Sequence, residues 1–262
     1  MEATLNGARI HYERTGEGMP VVFLHAGVAD SRMWEPQVGE FSKHFDVIRP
    51  DMRGFGKSDL PPAPWNPRAD LLALIDALEL KPVHLIGCSM GGSLALDFAL
   101  DHAERVSKLV LVDSGPSGQP DRPEYNSLFE EVDAAEKAAD HVALNQAEMH
   151  LWLDGPYRPK GYVRQELRDL FLDMNGANMD NDWSSAPIEH LEPPAVGRLG
   201  EVSAPTLVIV GDKDLRPLLE NADLLASSIR GARKAVIHDA AHLPSLEHPD
   251  EFNRIVLDFL LS

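Results

Sequence analysis

The sequence predicts an α/β fold: a mostly parallel sheet with helices on both faces, carrying one helical insertion. Three observations predict it. Short, nearly continuous runs of Val, Leu and Ile recur at residues 21–25, 45–49, 83–87, 106–112, 206–210 and 234–238. Such runs are the pattern of strands buried on both faces. Helix signals fall between them, which is the order that gives parallel strands joined by crossover helices. Between about residues 117 and 195 the alternation breaks, and only helical periodicity is left.

In chain order, two short strands frame Asn6-Gly7, a dipeptide suited to the positive-φ turn of a tight hairpin. Asn66 can cap a helix with Pro67 at its first position, after which Leu71, Leu72, Ile75 and Leu78 share a face. In the helical stretch Leu128, Val132 and Ala135 share one face, and Val163, Leu167, Leu170, Phe171 and Met174 another. Pro116, Pro120 and Pro123 mark its beginning; Pro187, Pro193 and Pro194 mark its end. Pro249, Asp250 and Glu251 open a last helix with Phe252, Ile255, Val256 and Phe259 on its apolar side. This divides the chain into a core of residues 1–116 and 196–262 and an insertion of residues 117–195.

Composition excludes several classes. With 24 Lys and Arg against 42 Asp and Glu, the net charge is −18, and no run supplies the basic footprint that a nucleic-acid partner requires. The single cysteine, Cys88, rules out an intrachain disulfide framework and suits a reducing compartment. The first residues lack the basic-then-apolar pattern of a signal peptide, and the apolar runs are too short for a bilayer. The expectation is a cytoplasmic protein acting on a small molecule, with no membrane or nucleic-acid partner and an oligomeric state that is unknown from sequence.

The chemistry begins at Gly87-Cys88-Ser89-Met90-Gly91-Gly92, which follows one apolar run and precedes an apolar helix (Leu94, Ala95, Phe98, Ala99). A bare G-x-S-x-G is a weak pattern, but between strand and helix it is the setting of a nucleophile elbow, which presents a serine hydroxyl on a sharp turn. A serine needs a base to take its proton. Of 11 histidines, His242 lies in Ala240-Ala241-His242-Leu243-Pro244, after the last strand and before the last helix. That is the edge where α/β sheets build their sites. An acid must orient the imidazole, and Asp214 of Gly211-Asp212-Lys213-Asp214 follows the strand at 206–210. The N–H of Met90 is one oxyanion donor.

These motifs, with Leu24-His25-Ala26-Gly27 and Asp51-Met52-Arg53-Gly54-Phe55-Gly56-Lys57-Ser58, span nearly the whole chain. The sequence resembles the α/β-hydrolase superfamily, in its small capped branch of esterases, enol-lactonases, C–C bond hydrolases and perhydrolases. The resemblance implies the α/β-hydrolase fold with a helical cap insertion, no cofactor, no metal, and the chain order Ser89, Asp214, His242. It also implies a second oxyanion donor in the loop after the strand at 21–25. Gly27 is nominated; Ala26, where the family more often has glycine, is the other possibility. Some relatives take their acid from the position of Asp113, which makes it the rival of Asp214. Ser89 sets the chain apart from dehalogenases and epoxide hydrolases, whose elbows carry aspartate.

The implied activity is that of a serine carboxylesterase working through an acyl-enzyme, with a lactonase or C–C hydrolase as the alternative. A hydrolase-like small-molecule receptor is the alternative of another class. Residues 117–195 hold 6 Lys or Arg against 16 Asp or Glu, a net of −10, which steers dianionic substrates away unless an arginine such as Arg122 or Arg158 reaches the pocket. Candidate pocket residues are Trp34, Phe55, Met149, Trp152, Met174 and Trp183, with Tyr157 and Met179 as further possibilities, although most such side chains belong to cores. Two decoys are set aside. Gly54-Phe55-Gly56-Lys57-Ser58 lacks the first glycine of a P-loop, since Asp51 stands there, and the His238/His242 spacing lacks the glutamate of a zinc motif.

Overall fold

A computed structural model describes residues 1–120 and 129–262. Leu128, Pro123 and Arg122, singled out above, lie outside the described residues. Eight strands form one sheet in the order β1-β2-β4-β3-β5-β6-β7-β8. The strands are β1 (Glu2–Leu5), β2 (Ala8–Thr15), β3 (Met19–Leu24), β4 (Phe45–Pro50), β5 (Val83–Cys88), β6 (Val106–Val112), β7 (Thr206–Gly211) and β8 (Arg233–Ile237). The hairpin β1–β2 joins the sheet antiparallel to β4, and β4 through β8 run parallel with β3. Asn6 and Gly7 both take positive φ at its turn (46° and 80°), as the dipeptide requires.

The period of two along the parallel strands sorts their side chains onto the two faces of the sheet. Val22, Leu24, Leu85, Leu109, Leu111, Val208 and Val210 pack on one face. With them lie the buried sides of α2 (Pro67–Ala77), α3 (Met90–Asp101) and α7 (Arg216–Ser228). Their neighbours Val21, Phe23, Ile86, Val110, Val112, Leu207 and Ile209 pack on the other face with Phe41 of α1 (Glu35–Phe41). Phe252, Val256 and Phe259, from the helix at Pro249–Leu261, join them there. Each such fully buried large side chain stabilises the fold by about 1.5–3 kcal/mol. Asn66 caps α2 through its side-chain oxygen, which accepts from the N–H groups of Arg68 and Ala69.

Between β6 and β7 the described elements are helical. α4 (Glu130–Lys137) and α5 (His141–Glu148) are followed by a π-helical turn at Met149–Asp154, and then by α6 (Gln165–Asn178). An isolated parallel bridge ties Ile188 back to Trp65. A short helix, α8 (Pro244–Glu247), and the longer α9 (Pro249–Leu261) follow β8. Among the described residues no helix is long and apolar enough to cross a membrane.

Candidate active site

The loops leaving the C-terminal ends of β3, β5, β6, β7 and β8 carry His25–Gly27, Ser89, Asp113, Asp214 and His242. Parallel pairing brings all of these ends to one edge of the sheet. Ser89 follows the central strand β5 and precedes α3 with φ 52° and ψ −115°, a conformation a residue with a side chain adopts only under constraint. Its N–H donates to Val112 O (2.8 Å) and its carbonyl accepts from Ser93 N–H (2.9 Å), so both neighbouring elements hold the turn. The glycines are there for close approach: a Cβ on Gly87 would strike the Gly91 carbonyl, and one on Gly91 the Leu24 carbonyl. Cys88 is wholly buried beneath the site, its thiol 3.5 Å from the His242 carbonyl, with burial pushing the thiol well above its ordinary range.

Asp214 and His242 are 1% and 2% exposed, with Asp214 Oδ2 2.7 Å from His242 Nδ1. The carboxylate draws the proton of a neutral imidazole to Nδ1 and leaves Nε2 bare. The ring is clamped further by Trp152, 4.5 Å away between centroids, whose carbonyl accepts the His242 N–H (3.2 Å). Asp212 is occupied elsewhere: it accepts from Asp239 N–H (2.8 Å) and meets the exposed His238 ring at 3.0 Å. Among the described residues the Ser89 hydroxyl and His242 Nε2 make no hydrogen bond to each other. In unliganded sites such bonds are often long and tighten around substrate.

Asp113 comes to the same place. One side-chain atom each of Asp113, Asp214 and His242 lies within 4.8 Å of the others. Because His242 Nδ1 is already committed to Asp214, the cluster reads as a carboxyl–carboxyl–imidazole chain rather than as a set of metal donors.

In the loop after β3, Ala26 N–H is engaged by Met33 Sδ (3.2 Å), whereas Gly27 lies against Met90: a Cβ there would sit 3.7 Å from Met90 Sδ. His25 is structural. Its Nε2 accepts Met52 N–H (2.9 Å), so its Nδ1–H donates to Ala26 O (2.8 Å), and burial holds it below the ordinary histidine value. It thereby ties this loop to residues 51–58.

A cavity of about 230 Å³ opens beside the elbow, lined by Met52, Phe55, Trp65, Met90, Leu94, Trp183 and Ile188. Phe55 and Trp183 pack 5.0 Å apart between centroids. Its polar wall holds Ser93, Asp97, Ser117 and Arg68. Arg68 is committed to Asp101 (2.8 Å) and to the carbonyls of Glu189 and His190, while burial raises Asp97 above the usual carboxylate range.

Of the expected pocket residues, Phe55 and Trp183 line this cavity and Trp152 packs at a tilt against His242. Three others need correction. Trp34 is wholly buried between Phe23 and Phe252, and Met149 and Met174 are buried core residues packed around Leu153 and Phe171. Apolar bulk at helical spacing served the core. Tyr157 is 58% exposed, and Met179 lines an outer groove beside α5 and α6. Arg158 does not reach the cavity either: its guanidinium is buried against Glu247 and the carbonyls of Leu153, Asp154 and Asp239. Sequence reasoning missed Trp65 and Ile188, and the Arg158–Glu247 pair that joins the helical stretch to the His242 loop. No local pattern links residues so far apart in the chain.

A family model described as the alpha/beta hydrolase fold matches residues 19–249. A 2-hydroxy-6-oxo-6-phenylhexa-2,4-dienoate hydrolase of Comamonas testosteroni is 29% identical, over 99% of this chain and 93% of its own. A 2-hydroxy-6-oxononadienedioate/2-hydroxy-6-oxononatrienedioate hydrolase of Pseudomonas putida is 33% identical, over 96% and 91%. Among solved structures, the enol-lactonase from Burkholderia xenovorans LB400 superposes with a TM-score of 0.81 at 29% identity, covering 100% of both chains.

Proposed function

The chain belongs to the α/β-hydrolase fold family, and we propose that within it the chain is a serine hydrolase of a small carboxylic ester or lactone. The observation that carries this reading is the buried Asp214–His242 bond of 2.7 Å at the same sheet edge as the constrained Ser89. Ser89 Oγ attacks the carbonyl carbon while His242 Nε2 takes its proton, and Asp214 stabilises the imidazolium that results. Negative charge on the carbonyl oxygen is met by the N–H groups of Gly27 and Met90, aided by the N-terminus of α3. His242 then returns the proton to the leaving alcohol, and water, activated by the same imidazole, releases the acid.

The cavity beside the elbow supports an apolar, uncharged substrate group. Its walls are aromatic and thioether, its arginine is already neutralised, and its remaining charged groups are mostly acidic. Residues 117–195 act in this reading as a cap over the site. A second reading, hydrolysis of a C–C bond next to a carbonyl, is favoured by the names of the two hydrolases just cited; the paired arginine and acidic surroundings weigh against their anionic substrate class.

The test is turnover of a p-nitrophenyl ester series and of simple lactones by wild type and Ser89→Ala. Serine-dependent turnover with a chain-length optimum, lost at least about 10³-fold in Ser89→Ala, supports the ester or lactone reading. Labelling of Ser89 by a fluorophosphonate without ester or lactone turnover would move the assignment to C–C bonds. Labelling with feeble turnover of every substrate, and destabilisation by ligand, would point to a receptor.

A further inference from the structure

Asp113 is as deeply buried as the residues it joins, at 1% exposure, and its two oxygens are used differently. Oδ1 accepts the N–H of Gly211 at 2.9 Å. Oδ2 is buried without a donor among the described residues, and a carboxylate oxygen of Asp214 lies within 4.8 Å of this carboxyl. Two ionised carboxylates do not share a dry pocket; one of them holds a proton. The Asp214 oxygens already accept from two other groups, Leu215 N–H (2.7 Å) and His242 Nδ1 (2.7 Å), so the negative charge is best satisfied there and the proton belongs on Asp113.

We propose that Asp113 is held as a neutral carboxylic acid whose Oδ2–H donates to Asp214, making it a positioning residue for the carboxylate that orients His242. This rests on the reading of Asp214 as the orienting acid. The backbone is built to hold the arrangement. Asp113 takes φ 42° at the end of β6, an uncommon conformation for a residue with a side chain, and its N–H is pinned to Ile209 O at 2.9 Å. Burial first, and then the charge of Asp214, push the Asp113 carboxyl well above its ordinary range. The other titratable groups facing it act in the same direction or stay silent: Glu247 adds negative field, and the Cys88 thiol is itself pushed up. The pair thus carries one negative charge, and its proton stays on Asp113 throughout turnover.

Asp113→Asn is the discriminating variant, because an amide reproduces a protonated carboxyl: its oxygen accepts from Gly211 and its NH₂ donates to Asp214. The expected result is kcat/KM within about tenfold of wild type and an unmoved acid limb of the pH profile. In the infrared difference spectrum between wild type and variant at neutral pH, a protonated-carboxyl C=O band should disappear. Asp113→Leu, which can neither accept nor donate, should lower kcat by about 10–100-fold with KM nearly kept, and should displace the low-field proton resonance of His242 Nδ1–H. If Asp113→Leu does not fold, the Asn variant and the infrared band decide alone. Absence of the band, or an Asp113→Asn enzyme as damaged as Asp214→Asn with a shifted acid limb, overturns the proposal. Full activity in Asp214→Asn would instead remove the reading of Asp214, and the band would still report where the proton sits.

Discussion

Asp154, in the helical segment between β6 and β7, and Glu247, beneath the His242 loop, are both almost wholly buried and both paired with an arginine, yet they are driven in opposite directions. At Asp154 burial pushes the carboxyl up, but the N–H groups of Gly161 (2.8 Å) and Val163 (3.0 Å), with Arg168, hold it below the usual carboxylate range. At Glu247 burial prevails over Arg158 (2.7 Å) and the Ala241 N–H (2.7 Å), and the carboxyl is pushed to about 7. The difference lies in the surroundings. Asp154 collects two backbone donors and a cation in a segment that folds around it. Glu247 has one backbone donor, the Ala241 N–H, beside Arg158, and these do not offset the loss of water around its charge. The helical segment uses an ionised carboxylate as a structural hub. The sheet edge concentrates carboxyl groups and keeps some of them neutral.

The largest effect that would break this comparison is at the sheet edge. Asp214→Asn should lower kcat by about 10³–10⁴-fold, because the imidazole loses the partner that selects its tautomer. Asp212→Asn, two residues away, should leave kcat within about threefold, since Asp212 braces the loop at Asp239 and His238 and pairs with Lys213. Steady-state kinetics on the best ester of the series separates the two; equal damage would mean that loop integrity, not orientation of His242, is what the pair supplies.

A smaller effect tests the hub. Asp154→Ala leaves Arg168 and two N–H groups without their acceptor and should cost about 3 kcal/mol of stability. Urea unfolding reads this loss, and kcat per folded molecule should change far less than it does in Asp214→Asn. If kcat falls with stability unchanged, the segment is shaping the site rather than holding itself together.

The smallest effect, and the one that sharpens the contrast, is the pH dependence of stability. The depressed carboxyl of Asp154 contributes stability that is present above its unfolded value and lost as the pH falls through its folded one. The raised carboxyl of Glu247 does the reverse. Its contribution is complete below the ordinary glutamate value and disappears as the pH climbs to about 7. Melting temperatures followed between about pH 2 and pH 8 should therefore lose part of their decline between about pH 4 and 7 in Glu247→Gln and part of their decline below about pH 4 in Asp154→Asn. An unchanged decline between about pH 4 and 7 in Glu247→Gln would mean that Arg158 keeps Glu247 ionised.

Much of the architecture was legible beforehand. The six apolar runs became β3 through β8 with ends shifted by no more than two residues, and the hairpin turned at Asn6-Gly7. Asn66 capped its helix as its side chain allows. Pocket residues were much less legible. Phe55 and Trp183 could be singled out as large apolar side chains near the site, but so could Trp34, Met149 and Met174, which the core absorbed. A bulky apolar residue has the same signature in either role, because both burials use the same hydrophobic driving force.

By itself, then, the sequence determined the parallel α/β pattern, the constrained turn at Ser89 and the loops that bear Asp113, Asp214 and His242. Each depends on period, glycine placement or chain order, properties written within a few residues of one another. Only the tertiary structure decided that Asp214 rather than Asp212 meets His242, that Asp113 lies behind it as a second carboxyl, and that Arg158 is spent on Glu247. Those outcomes turn on contacts between residues up to 100 or so apart in the chain. A carboxylate's role and charge depend on which N–H groups and ions surround it, and that is settled by packing rather than by neighbours in the chain.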